Sequence, residues 1–228
     1  MRRLINGILN LIYPERARCS LCKDELISWE IQLGICHQCL NEMNFFAGKG
    51  LKKLPELFEQ HIDLVGSAVL YTGLIKELIY RLKYYGERQL IYPMVELMVR
   101  QYYIIFKEEK WDGLIPVPLH ESRLHERGYN QALLLAVGLS FYLKIPCFDW
   151  VERVKETHPQ NQLTLDQRRK NLEGAFRLKK GIEIKGGRWL IIDDIFTTGN
   201  TTNEIAKILK EAGAEKVGVY TLASGRMM

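Results

Sequence analysis

The chain has 228 residues, of which 47% are hydrophobic, 10% aromatic and 26% charged. That balance is enough for one medium globular domain with a small appendage, and it excludes a disordered chain or a coiled coil. No apolar run approaches the roughly 18 residues of a membrane span, and a formal charge of +5 agrees with phosphate or nucleic-acid ligands without specifying them.

Residues 1–14 place Leu4, Ile5, Ile8, Leu9, Leu11 and Ile12 behind Arg2 and Arg3. The spacing predicts one short amphipathic helix. It lacks the long apolar core and small-residue cleavage site of a secretion signal. The plain expectation is that this helix packs on the rest of a cytoplasmic protein. The alternative is peripheral contact with the inner face of a membrane.

Residues 15–50 are short on long apolar patterns and hold four of the five cysteines. Cys19-x-x-Cys22 and Cys36-x-x-Cys39 stand thirteen residues apart. Each pair presents two thiolates from one tight turn, and two such turns close a tetrahedral S₄ site. Without a secretion signal, metal ligation is favoured over a disulfide framework. A structural Zn²⁺ fits, since four cysteines leave no position for a catalytic water. An iron–sulfur cluster takes the same ligand count, and His37 is an alternative ligand. The fifth cysteine, Cys147, reads as a small buried hydrophobe.

Beyond a connector at 51–63, residues 65–71 predict a strand and 74–84 a helix with Leu74, Ile75, Leu78, Ile79 and Leu82 on one face. A helix over 89–106, a short buried strand over 113–117 and a helix over 124–143 follow. A strand is expected at 146–151, then a polar stretch at 155–162. Residues 188–192 predict a strand, 193–200 a loop, 201–212 a helix stopped by Gly213, and 216–222 another strand. Strand, loop, helix and strand in that order imply a crossover within a parallel sheet, with the ligand site at the carboxyl ends of its strands.

The segment Leu190-Ile191-Ile192-Asp193-Asp194-Ile195-Phe196-Thr197-Thr198-Gly199-Asn200-Thr201 carries the clearest chemistry. Gly199 permits a sharp turn and close approach of a ligand. The loop amides and first helical turn converge on an anion, and the hydroxyls of Thr197, Thr198 and Thr201 add donors. Asp193 and Asp194 repel phosphate but suit ribose hydroxyls and a Mg²⁺ ion. A solvated turn with a helix cap would explain the threonines but not two carboxylates behind an apolar strand. Upstream, Arg123 and Arg127 share one helical face, where two guanidiniums match a pyrophosphate. A surface pair bridged to Glu121 or Glu126 fits that spacing equally.

Residues 190–202 resemble the phosphoribosyl pyrophosphate signature of type I phosphoribosyltransferases. The resemblance implies that Asp193 and Asp194 face the ribose hydroxyls and that Thr197, Thr198, Gly199, Asn200 and Thr201 cradle the 5′-phosphate. The run Arg123-Leu124-His125-Glu126-Arg127-Gly128-Tyr129-Asn130-Gln131, with Thr157, Gln160, Arg168, Asn171 and Gly174-Ala175-Phe176, is similar to the ComF family of competence proteins. That resemblance runs from Tyr13-Pro14 to the last strand and is weakest over 41–70. It implies an α/β type I phosphoribosyltransferase-like parallel sheet over 51–228 behind a four-cysteine zinc module over 1–50, and a loop at 155–169 that closes over substrate. It also implies phosphoribosyl pyrophosphate or a related sugar phosphate as ligand, with Mg²⁺, and a role in natural transformation beside single-stranded DNA and the competence helicase machinery. The donor-side parts for phosphoribosyl transfer are present, with Asp193 and Asp194 as candidate catalytic groups; the acceptor side is not legible. Lys76, Arg81, Lys83, Tyr84 and Tyr85 interleave cations and aromatics as a nucleic-acid groove would. The simpler expectation is an amphipathic helix whose tyrosines cover the core.

Overall fold

The computed structural model describes residues 18–31, 33–45, 61–155 and 172–225. The expected N-terminal helix, Tyr13-Pro14, Thr157, Gln160 and Arg168 of the expected closing loop, and Asn171 after it lie outside them.

Four parallel strands form the sheet: β1 (Leu64–Leu70), β2 (Gly113–Pro116), β5 (Arg188–Phe196) and β6 (Lys216–Ser224), in spatial order β1-β6-β5-β2. Between the first two run helices α3 (Gly73–Tyr84) and α4 (Ile91–Ile105), preceded by α1 (Ser28–Ile31) and α2 (His37–Asn41) in the cysteine segment. Helices α5 (Glu121–Arg127) and α6 (Gln131–Leu143) follow β2, and α7 (Asn200–Glu211) links β5 to β6. The fold class is therefore α/β, as the order of elements predicts.

Alternation along β5 assigns its side chains to two cores. Leu190 and Ile192 join the cluster with α3, α4 and α6, while Trp189 and Ile191 join the one with α7. Both faces of a parallel sheet are covered, so its strands are apolar almost throughout. Helix α3 buries Ile75, Leu78, Ile79 and Leu82 as its periodicity predicts. The cysteine segment adds Cys19, Leu33, Ile35, Cys36, Cys39 and Met43 to the first of those cores. Arg81 of α3 also donates to the Ser20 carbonyl at 3.1 Å. The segment is thus bound to the sheet's own packing.

Three elements differ from expectation. The helix anticipated over 124–143 is two helices. Gly128 ends α5 in a left-handed conformation (φ 76°), and the Asn130 side chain caps α6 through the amides of Ala132 and Leu133. Glycine past a helix end and asparagine before the next one are the usual stop and start chemistry. Only an isolated parallel bridge from Cys147 to Leu114 occurs within 146–150, and strand β3 is Val151–Arg153, paired antiparallel with β4 (Phe176–Leu178). Strand β5 runs on to Phe196, so Asp193 and Asp194 belong to the strand and not to the loop.

Candidate functional site

Because side chains alternate along a strand, the two adjacent acids leave β5 toward opposite faces. Asp194 has the parity of Leu190 and Ile192, on the α3 side. There the Lys83 ammonium reaches it at 2.7 Å to Oδ2 and 2.9 Å to Oδ1. Asp193 has the parity of Ile191 and accepts a hydrogen bond from the Asp194 amide at 2.8 Å. Burial first, and then the neighbouring Asp194 charge, push the Asp193 carboxyl from 3.8 up to about 7, against the pull of Lys83 and Arg153. Burial works against the Lys83 charge, but Asp194 and then Asp193 outweigh it and raise the ammonium above its ordinary range. Arg153 is shifted down by burial and by Arg123, with Asp193 opposing.

These groups open into one cavity of about 950 Å³. Its wall includes Tyr71 after β1, Val117 to Leu119 after β2, and Asp193 to Ile195 with Thr197 at the end of β5, so it lies at the carboxyl ends of the strands. Four cations (Lys83, Arg123, Arg127 and Arg153) face three carboxylates (Glu126, Asp193 and Asp194) across it. With Asp193 near half protonation at neutral pH, the cavity favours an anion.

Of the residues singled out in sequence, Asp193, Asp194, Thr197, Thr201, Arg123 and Arg127 line this cavity. Thr198, Gly199 and Asn200 do not line it; they are buried in the turn that leads into α7. Gly199 has φ 81°, and a Cβ there would meet the Phe196 ring at 2.8 Å, so glycine is required on both counts. Arg127 donates to Gln131 Oε1 at 2.7 Å, an α5–α6 contact in place of the surface bridge to Glu121 or Glu126. The buried Gln131 also lines the cavity, and its Nε2 has no hydrogen-bond partner among the described residues.

Sequence reasoning did not join Lys83 to the acids, Arg153 to the cavity, or Tyr80 to Tyr84 and Tyr85. Nor do these tyrosines cover the core. They are exposed at 53%, 64% and 68%; Tyr80 and Tyr84 lie on the side of α3 away from its buried leucines and isoleucines, and Tyr85 follows the end of the helix. The i, i+4 spacing of Tyr80 and Tyr84 against Leu78 and Leu82 was the available signal.

The four cysteine sulfurs lie within 4.8 Å of one another, and all four cysteines are free. Zn–S bonds of about 2.3 Å place tetrahedral sulfurs roughly 3.8 Å apart, so Cys19, Cys22, Cys36 and Cys39 fit a closed zinc site. The Cys19 sulfur already accepts from the amides of Leu21 and Cys36, each at 3.4 Å. His37 is turned instead to the buried Glu30, its Nδ1 2.7 Å from Oε1. Cys147 is half-buried, and burial raises its thiol to about 11, as befits an inert core thiol.

A parallel sheet with a cavity at the carboxyl ends of its strands defines an α/β class of protein, and residues 130–227 match the phosphoribosyl transferase domain. Competence protein F of Haemophilus influenzae is 34% identical over 226 residues, covering 94% of this chain and 93% of that protein. DNA utilization protein YhgH of Salmonella typhi is 28% identical over 214 residues, covering 90% and 88%. The purine phosphoribosyltransferase of Pyrococcus horikoshii Ot3 superposes at a TM-score of 0.37, with 18% identity over 59% of this chain and 72% of that one. That likeness is too distant to bear on the site. The chain belongs to the ComF/YhgH family of competence proteins and carries a phosphoribosyl transferase domain. Among the described residues, no helix is long and apolar enough to cross a membrane.

Proposed function

We propose that the cavity binds phosphoribosyl pyrophosphate with Mg²⁺, and that the protein uses this pocket while handling single-stranded DNA taken up in natural transformation. The observation that carries the first half is the junction of adjacent acids at the end of β5 with four cations in one cavity. Asp193 and Asp194 accept hydrogen bonds from the ribose hydroxyls and are the groups that would hold the metal. Thr197 and Thr201 offer hydroxyls to the 5′-phosphate from the cavity wall, and the turn through Thr198, Gly199 and Asn200 shapes the start of α7 behind them, whose amides favour an anion. Arg123 and Arg127 take the pyrophosphate, with Gln131 fixing Arg127. Bound Mg²⁺ would screen the pyrophosphate charge and favour its departure. Residues 1–50, held by zinc, form the smaller of two parts, with 51–228 as the larger.

The DNA half rests on the names of the relatives, a competence protein and a DNA utilization protein. The competence helicase machinery is the natural partner of such a role. The alternative reading is a phosphoribosyltransferase that passes phosphoribose to a nitrogenous acceptor: the C1–O bond to pyrophosphate breaks as the acceptor nitrogen bonds to C1. Preorganised charge around the leaving group would supply the stabilisation in that case.

Calorimetric titration of the full chain with phosphoribosyl pyrophosphate and Mg²⁺ tests the pocket. Saturable binding is expected, abolished in Asp193→Asn with Asp194→Asn while the circular dichroism spectrum is unchanged. No heat at millimolar ligand, or undiminished affinity in the double variant, overturns the assignment. For the DNA role, affinity for a single strand should fall steeply with salt; a flat response counts against a phosphate-backbone groove.

A further inference from the structure

Helix α6, Gln131–Leu143, is apolar on every side: its sequence QALLLAVGLSFYL holds no charged residue. A helix of that composition belongs inside a protein, yet only part of this one is inside. Leu135, Ala136 and Leu139 are buried in the core shared with α4 and the sheet. On the opposite side, Val137 and Phe141, one turn apart, are 54% and 68% exposed. Helix α4 lies along α6, so close that a Cβ on Gly138 would meet Val95 at 2.5 Å. Its outer side adds Tyr92 and Tyr103, 45% and 59% exposed. The Tyr142 hydroxyl reaches Glu96 and Tyr92 across the seam between the helices, and the Phe141 ring stands 5.4 Å from the Tyr142 ring, edge-on. The two helices thus present one continuous apolar and aromatic face. It is separate from the cavity, since none of these side chains lines it.

We infer that this face is the twofold interface of a homodimer, in which α4 and α6 of one copy pack on α4 and α6 of a second. Charge selects a second copy over other occupants. Glu96 and Arg100 stand one turn apart on the outer side of α4, half-buried and exposed. Across a twofold axis each surface meets itself reversed, so the acid of one copy can face the base of the other, twice. The Tyr142 hydroxyl fills one acceptor position of the Glu96 carboxylate and leaves others for a guanidinium. A membrane surface would call for a helix with a strongly basic polar face, and α6 has none. Size agrees as well. Helices of 15 and 13 residues are about 20 Å long, and two of them side by side span roughly 20 Å across. With the relief of its side chains, such a face approaches the roughly 800 Å² per partner of a standard interface. Its content of tyrosine, phenylalanine and aliphatic groups is that of a homodimer core.

Sedimentation velocity of the full chain over a concentration series tests the inference. Wild-type protein is expected to sediment as a dimer that dissociates on dilution. V137E/F141E should weaken association by roughly thirtyfold or more. Both side chains are exposed, so its circular dichroism spectrum should match wild type. E96R and R100E should each weaken the dimer by about tenfold or more, because like charges then face one another. An equimolar mixture of E96R and R100E chains restores both opposite-charge contacts and should recover the dimer; only pairing of this face with its own copy predicts that recovery. A wild-type chain that stays monomeric at high micromolar concentration overturns the inference, and a lower melting temperature in V137E/F141E would then assign the face to another segment of the same chain. A dimer undiminished in V137E/F141E places the interface elsewhere and overturns it too, as does a mixture of E96R and R100E that associates no better than either alone.

Discussion

Replacing Asp193 by asparagine removes a charge that the ligand-free fold holds at a disadvantage. The carboxyl sits at about 7 against an ordinary 3.8, first because it is buried and second because Asp194 is beside it. The folded protein holds this proton more tightly than the unfolded chain does. Stability of the wild type therefore falls as pH rises from near 3.8 to near 7, and this contribution is constant above that. At about 1.4 kcal/mol per unit, the loss is on the order of 4 kcal/mol, an upper figure because Asp193 is only partly covered. Asparagine mimics the protonated form, and its Oδ1 can still accept from the Asp194 amide. For a chain of this length 1 kcal/mol moves Tm by about 2 °C, so D193N is expected to melt up to roughly 8 °C higher than wild type above pH 7. The two should coincide near pH 4. Differential scanning fluorimetry from pH 4 to 9 reads this directly. Superimposed curves at every pH, or a gap that widens toward acid, would refute the reasoning. Added phosphoribosyl pyrophosphate and Mg²⁺ should close the gap by stabilising wild type alone.

The ion pair of Lys83 with Asp194 gives the converse result. Lys83→Met strands a buried carboxylate, which costs about 3–5 kcal/mol. The denaturant midpoint should drop strongly at pH 8 and much less at pH 5, where the acids can take up protons. Gly199→Ala places a Cβ against Phe196 in left-handed backbone, a conformation costing about 1–2 kcal/mol before the clash is counted. A lowered urea midpoint together with weaker sugar-phosphate binding is expected, and wild-type values for both would show the turn to be unconstrained. Cys19→Ser should release zinc, measured by mass spectrometry of the metal. Because Cys19 is packed in the core shared with the sheet, it should also lower the unfolding temperature of the whole chain; a full metal content would contradict the four-thiolate site.

What the sequence made legible follows from the range of the interactions involved. The parallel crossover around β5 and α7 and the cysteine cluster are set by residues close in the chain, and their patterns are local. Helix α3 could be read from its period, and the same period put Tyr80 and Tyr84 opposite Leu78 and Leu82, a signal outweighed by the habit of tyrosines to cover cores. Gly128 and Asn130 held the stop and start signals that divide α5 from α6, and the expectation of a single helix passed over them. Strand β4 is three residues long and depends on pairing with β3 across an interval that local patterns do not span. Lys83 and Asp194 are 111 positions apart, and no local pattern announces such a partnership.

Extension of β5 through both acids changes how the pair works. Acids in a loop could turn together toward one ligand, relieve their repulsion by moving apart, and leave their charges to water. Held in the strand, they leave it toward opposite sides, and each meets a different environment: Asp194 takes the Lys83 ammonium directly, while Asp193 lies under burial and the Asp194 charge, with Lys83 and then Arg153 opposing. Neutralisation is accordingly unequal. Asp194 is compensated by a lysine within the protein, whereas burial and the Asp194 charge leave Asp193 only partly ionised at neutral pH. Arrival of a metal with the sugar phosphate would supply that missing charge and release the proton, so ligand affinity should rise with pH across the Asp193 titration. Isothermal titrations in two buffers of different ionisation enthalpy would count the proton released; a value of zero at pH 6.5 would show Asp193 to be already ionised and the asymmetry of the two acids to be without consequence.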